Sequence, residues 1–334
     1  MIISRTPFRI SFFGGGTDYP CWYREHGGAV ISTSINKYCY INCRYLPPFF
    51  DYKYRIRYAK TEDTKTVDEI VHPSVRECLK YLQVREGVEV QHNADLPAMS
   101  GLGSSSTFTV GLLHALYSLK GFIINKHQLA MDAIHVEQNL IEENVGSQDQ
   151  VCAAFGGLNK IVFGGSQEIL VQPITISEHK LQILQDHLLM VFTGFQRRAS
   201  EIAGEQIKTI PRKKAEMVIM MELVEEALKI LNKDTDALVE FGKLLHEQWM
   251  VKRSITDLIS NSTIDDIYES GRKAGAIGGK LLGAGGGGFI LFFVHPEMRS
   301  KVKETLKNLL QIPIRFEKLG SQIIFYAPED NYHV

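Results

Sequence analysis

Several things are missing from this sequence, and each absence excludes something. No apolar run approaches the length of a membrane span. Arg5, Pro7 and Arg9 interrupt the first apolar residues and Gly14-Gly15-Gly16 follows at once, so no signal peptide is expected. An excess of one charge is missing too. Lys plus Arg (37) nearly cancels Asp plus Glu (38), a formal net charge of -1. That balance argues against a general binder of nucleic acid or anionic membrane, while leaving room for a local basic site. Cysteine is scarce: Cys21, Cys39, Cys43, Cys78 and Cys152 are odd in number and form no CxxC pair. In a chain of this length they read as reduced thiols, mostly core, and a cytoplasmic protein is expected. There is no HExxH, no G-x-S-x-G, and no HRD or DFG. His135-Val136-Glu137 mimics the H-x-E of zinc deaminases, but no PCxxC follows, and the eleven histidines show no metal-ligand spacing. Neither a low-complexity tract nor an internal repeat is present.

What remains is a globular composition, 44% hydrophobic over 334 residues, enough for two packed domains or one large one. Residues 8–13, 28–45 and 88–93 have the Ile/Val/Tyr/Phe content of strands. Thr109, Leu112, Leu113, Leu116 and Leu119 recur at helical spacing, with Gly121 as a stop. A second helix is predicted over residues 126–144, with Asn125 as N-cap, Gln128 at the capping-box position and Gly146 ending it. Residues 151–161 and 188–192 are short apolar segments. A long helical region over 201–259 breaks at Pro211 and near Asp234, and a helix over 264–274 precedes the glycine-rich residues 278–288. An apolar strand (289–294), a helix (298–310) and terminal strands (312–316, 323–326) complete the chain. The change from β-rich to mostly helical sequence puts a domain boundary near residue 185, dividing residues 1–185 from 186–334.

Three segments carry chemistry. In the first, Pro97 to Ser106, a glycine-rich turn opens a helix. Such a turn aims backbone N–H groups and the positive helix end at one spot, as phosphate binding requires. No lysine follows the glycines, so it is not a Walker A loop; three serines follow, whose hydroxyls could meet phosphate or Mg²⁺. A tight turn with serine N-caps is the other reading. In the second, residues 283–288 formally contain GxGxxG, but the expected order, helix before and strand after, is the reverse of a dinucleotide site. Close backbone approach to a ligand or a strained turn would each account for the glycines. The third is Glu137 with Asp149. Glu137 shares a helix face with Ala133, Ile134 and Ile141, so its carboxylate points inward and needs a cation in a cleft or a core arginine. Asp149 falls just past that helix, where an aspartate is usually a cap or turn residue.

Taken together, these segments resemble the GHMP kinase superfamily (galactokinase, homoserine kinase, mevalonate kinase, phosphomevalonate kinase). Three motifs stand in its order: Thr6 to Tyr19, Leu96 to Ser106 with P-x-x-x-G-L-G-S-S, and Lys280 to Phe289. They span nearly the whole chain. Within the superfamily, Gly14-Gly15-Gly16-Thr17-Asp18 looks most like the D-glycero-D-manno-heptose 7-phosphate kinase branch. Thr193 to Ala199 fits that branch and its fucokinase relatives. Galactokinases carry Gly-Glu-His before Thr-Asp-Tyr, which argues against galactose here.

The resemblance implies an α+β, two-domain GHMP kinase fold with the active site in the interdomain cleft. It implies ATP with Mg²⁺, and a small sugar or sugar phosphate as acceptor, with no nucleic acid or membrane partner and a homodimer left open. Carried over by position, Asp149 of the G-x-x-D-Q element orients or deprotonates the acceptor hydroxyl, with Arg9 beside it. Pro97, Gly101, Leu102, Gly103, Ser104, Ser105 and Ser106 hold the nucleotide phosphates, and Ser105 and Glu137 hold Mg²⁺. Gly16, Thr17, Asp18, Arg197, Gly285 and Gly286 face the acceptor, with Arg197 the contact for a sugar phosphate. The expected reaction is phosphorylation at C1 of D-glycero-D-manno-heptose 7-phosphate. A mevalonate-type kinase is the enzymatic alternative. A non-catalytic sugar- or nucleotide-binding regulator would require a lost aspartate or glycine loop, and both stand here.

Overall fold

The computed structural model describes residues 1–164, 169–196 and 199–328. Two long strands, β1 (Ile2–Phe13) and β2 (Gly28–Tyr45), pair antiparallel and are joined through α1 (Pro20–His26). Then come β3 (Tyr54–Arg57), β4 (Thr61–Thr64), α2 (Pro73–Tyr81), β5 (Val88–Ala94), α3 (Ser104–Leu119), α4 (Lys126–His135) and α5 (Gln148–Phe155). β6 (Leu158–Phe163), β7 (Ile169–Pro173), α6 (Glu178–Asp186) and β8 (Leu188–Phe192) follow. The helices α7 (Ala199–Thr209), α8 (Lys214–Asn232), α9 (Leu238–Arg253) and α10 (Ser262–Ala274) lead to β9 (Ala276–Leu281) and β10 (Phe289–Val294). Last are α11 (Arg299–Thr305), β11 (Gln311–Ile312), β12 (Phe316–Glu317) and β13 (Gln322–Tyr326).

The result is an α+β fold with two sheets. The first runs β13-β1-β2-β5-β3-β4, with β6 and β12 also on β2 and β7 on β6. The second runs β11-β8-β10-β9. Helix α3 is apolar nearly all round because it is buried against β1 and β2. Gly111 permits that approach: a Cβ there would lie 2.8 Å from Thr6 Oγ1. In α8, Met217, Met220, Leu223, Val224, Ala227, Ile230 and Leu231 form one buried stripe at helical spacing. Phe241 of α9 joins the two sheets, its ring edge-on to Phe12 and Phe13 of β1 and 5.9 Å from Phe293 of β10. Four of the five cysteines are buried and Cys21 is exposed. No helix among the described residues is long and apolar enough to cross a membrane.

Four expectations are corrected. The helix from Lys126 stops at His135 and continues as a π turn, Val136–Leu140, closed by Ile141 N–H on the Val136 carbonyl. Asn125 caps it as expected, but the Gln128 side chain donates to Asp132 instead of closing a capping box. Residues 148–155 form α5, so Asp149 lies in a helix's first turn and not in a loop. The second glycine run is preceded by a strand, β9, paired antiparallel with β10, so residues 283–288 close a hairpin.

Candidate active site

The site begins where β5 ends and α3 starts. Met99, Gly101 and Gly103 all have positive φ (56°, 81° and 77°), and the residues between them do not. Such alternation curls the backbone into a concavity lined by N–H groups. Gly103 is the N-cap of α3 and supplies no side-chain cap, while Ser104 Oγ accepts from Met99 N–H instead. The serines therefore do not cap the helix. Its first N–H groups face outward without intrahelical partners, at the positive end of a 16-residue helix.

Beside this turn stands an ion pair. Arg9 donates from Nε to Asp149 Oδ1 and from Nη2 to Asp149 Oδ2, both at 2.7 Å, and from Nη1 to the Gly101 carbonyl at 2.8 Å. One guanidinium thus ties β1, α5 and the turn before α3 together. A Cβ on Gly103 would come 3.1 Å from Asp149 Oδ2, so turn and carboxylate are in contact. Burial opposes the charge on Arg9, but the Asp149 charge and hydrogen bonds prevail and raise its pKa.

The loop after β1 brings a second carboxylate. Asp18, buried, accepts from Gly16 N–H at 2.8 Å and from Gln148 N–H at 3.4 Å. Burial raises its pKa, and the charge of Asp149 adds to the effect. Thr17 is fully buried, its hydroxyl bonded to the Gly14 and Ala29 carbonyls, so it builds the loop.

The two glycine loops lie on one another. A Cβ on Gly283 would sit 2.4 Å from Gly101 Cα, and one on Gly288 would sit 2.3 Å from the Ser100 carbonyl oxygen. Close backbone approach is the reason for those glycines, and the partner is the turn that opens α3. Gly285 packs on Ile259, and the Gly286 N–H bonds the Ile259 carbonyl at 2.9 Å. Two lysines complete the floor. Lys280 donates to the Ser11 and Phe12 carbonyls, and its burial pushes its pKa well down. Lys252 donates to the Gly283 carbonyl at 2.5 Å, and burial lowers its pKa to about 8.

Glu137 is fully buried in the π turn, a distortion that often marks functional positions. It accepts from Ser106 Oγ at 2.7 Å, from Thr109 Oγ1 at 2.8 Å and from the Gln150 amide. Its partners are neutral donors and not a core arginine. Burial lifts its pKa to about 7, with the nearby Glu143 charge contributing. Ser105, exposed on α3, donates to Glu143 at 3.5 Å, while Glu137 takes its hydrogen bonds from Ser106, Thr109 and Gln150. Two carboxylates and three hydroxyls make a hard oxygen donor set around the start of α3. Among the described residues no group of three acidic or imidazole side chains forms a complete cage. The oxygen donor set is of the kind Mg²⁺ takes, usually one or two carboxylates together with substrate phosphates.

Of the residues expected at the site, Arg9, Gly16, Asp18, Gly101 to Ser106 and Asp149 converge. Pro97 is exposed on the rim. Arg197 lies outside the described residues. Lys252, Gln148 and Glu143 were missed, although Lys252 carried a signal, since it falls on the apolar stripe of α9 with Phe241, Leu245 and Trp249.

The family model for the GHMP kinases N terminal domain matches residues 69–157, and that for the GHMP kinases C terminal matches residues 220–311. The chain belongs to the GHMP kinases, which are ATP-dependent phosphotransferases. The D-glycero-alpha-D-manno-heptose 7-phosphate kinase of Campylobacter jejuni is 27% identical over 321 residues, covering 92% of this chain and 93% of that protein. A D-glycero-D-manno-heptose 1-phosphate kinase structure from Bacteroides thetaiotaomicron superposes with TM-score 0.73 at 23% identity, covering 96% and 98% of the two chains. Streptococcus pneumoniae phosphomevalonate kinase superposes with TM-score 0.72 at 16% identity, covering 97% and 100%. The last two likenesses concern the fold alone.

Proposed function

We propose that this kinase phosphorylates the anomeric C1 hydroxyl of D-glycero-D-manno-heptose 7-phosphate, giving the 1,7-bisphosphate. The observation that carries the catalytic part is the contact of the Arg9–Asp149 pair with Gly103, the residue that opens α3. It supports a reading in which the carboxylate reaches a phosphoryl group seated on the helix N-terminus. The acceptor rests on the Campylobacter jejuni relative and on the Gly14-Gly15-Gly16-Thr17-Asp18 segment.

In this reading the backbone N–H groups of Gly103 to Ser106 hold the ATP phosphates. Asp149 takes a hydrogen bond from the C1 hydroxyl and then its proton, as oxygen attacks the γ-phosphorus and the bond to the β-phosphate oxygen breaks. Arg9 fixes Asp149 in orientation, and its positive charge faces the developing phosphoryl charge. Glu137, with Ser105 and the Glu143 carboxylate beside it, would hold Mg²⁺. The ion supplies charge neutralisation on the phosphates when bound. Asp18 accepts from acceptor hydroxyls, and Arg197 is assigned to the remote 7-phosphate on its sequence position.

The test is kcat/KM for the heptose 7-phosphate against unphosphorylated heptose, fucose, galactose and mevalonate, with the product's phosphorylated carbon assigned by NMR. The heptose phosphate should be preferred, with phosphate at C1. Faster turnover of any other acceptor overturns the substrate assignment.

A further inference from the structure

Three glycines stand in a row at residues 14–16, and the folded chain itself requires only two. A Cβ on Gly14 would lie 1.9 Å from the Ala29 carbonyl oxygen, and Gly16 has φ +114°, which L side chains rarely adopt. Gly15 has neither constraint. The atoms nearest a Cβ there would be Ser11 Oγ at 3.5 Å, Gln148 Nε2 at 3.7 Å and Lys252 Nζ at 3.9 Å, all ordinary contacts. Alanine would fit, so the lack of a side chain has another use.

Those three neighbours are polar tips from three elements, β1, α5 and α9, and their residues are only 5%, 9% and 5% exposed. Ser11 Oγ and Gln148 Oε1 have no hydrogen-bond partner among the described residues. Buried polar atoms are seldom left so, because each unmade bond keeps its desolvation cost. Lys252 uses one of its three donors on the Gly283 carbonyl. Ser11 is two residues along β1 from Arg9, and Gln148 precedes Asp149, so the cluster borders the reacting pair.

We propose that Ser11, Gln148 and Lys252 form a hydroxyl-binding subsite over Gly15, with Lys252 as a specificity-determining residue for the acceptor. A hydroxyl suits it because it can accept from the ammonium or from the Gln148 amide nitrogen while donating to the unpartnered Ser11 Oγ. A phosphate oxygen suits it less well, since it has no proton for Ser11 Oγ and would face the carboxylates of Asp18 and Asp149, both close enough to act on Lys252. The subsite rests on the reading of the acceptor as a polyhydroxylated sugar, and it adds donors opposite the acceptor oxygens of Asp18.

The experiment measures KM for acceptor, KM for ATP, kcat and melting temperature in wild type, Gly15→Ala, Ser11→Ala and Lys252→Met. The acceptor is whichever sugar of the panel above the wild type uses best. Wild type alone therefore decides which sugar is the substrate, and the variant ratios alone decide the subsite. Gly15→Ala should raise acceptor KM about tenfold or more by filling the space. Ser11→Ala should raise it roughly five- to tenfold, and Lys252→Met about tenfold to a hundredfold. ATP KM should stay within about twofold of wild type. Ser11→Ala should not lower the melting temperature, because the hydroxyl it removes has no partner in the fold. If Gly15→Ala and Ser11→Ala leave acceptor KM within about twofold of wild type, the subsite does not exist. It is equally overturned if both KM values and the melting temperature worsen together, which is the mark of a damaged fold. Preference of the wild type for mevalonate over every sugar refutes it as well.

Discussion

Arg9 and Asp149 face each other through two parallel hydrogen bonds of 2.7 Å, one to each carboxylate oxygen. They are 140 residues apart in sequence. This two-pronged geometry leaves Asp149 little rotational freedom. It also means that the side chain proposed to take the proton is aimed by β1, not by its own helix.

Glu137→Gln should raise the Mg²⁺ concentration needed for half-maximal rate several-fold, since it removes one of two carboxylates near Ser105. Titrating rate against Mg²⁺ at saturating ATP checks this. An unchanged midpoint would make Glu137 only a hydrogen-bond hub for Ser106, Thr109 and Gln150.

The same residue should leave a signature in stability. Burial lifts Glu137 from 4.5 to about 7, so across that window the folded chain binds more protons at this site than the unfolded one. Its contribution is therefore present below pH 4.5 and lost as pH rises through 7, by roughly 3 kcal/mol. Denaturant unfolding of metal-free protein in chelator should show Glu137→Gln gaining on wild type between pH 5 and 7.5. A difference between the two that does not vary with pH would exclude this account.

By sequence Gly146 is a helix stop, but the structure gives it a different reason. A Cβ there would stand 1.9 Å from Asp18 Oδ2. Gly146→Ala must therefore push Asp18 away, and acceptor KM should rise about tenfold while ATP KM holds. Equal KM values in wild type and variant would remove Asp18 from acceptor binding.

Phe241→Ala should destabilise the chain by about 3–5 kcal/mol, because the ring is fully buried between β1 and β10. Chemical denaturation measures it. A loss below roughly 1 kcal/mol would mean the sheets hold together without it.

Much of this was legible because it is local. The stripe of α8, the cap at Asn125 and the glycine turn before α3 follow from spacing within a few residues. Glu137 was found by its place on an apolar helix face, and Lys252 could have been found by the same rule on α9. Other features were not legible. The pairing of β13 with β1 and of β12 with β2 brings residues about 300 positions apart into register, which no local pattern encodes. The π turn at Val136–Leu140 is one residue wider than an α turn and keeps an ordinary helical sequence. The stacking of Gly283 on Gly101 depends on where two sheets place their loops.

The most direct test of the account is Asp149→Asn, which keeps the side chain's shape but cannot take the hydroxyl proton. Steady-state turnover with saturating ATP and acceptor should fall by about 10² or more, while ATP affinity, measured by equilibrium binding, should barely change. A variant that turns over at nearly the wild-type rate would contradict the assignment of Asp149 to the reaction.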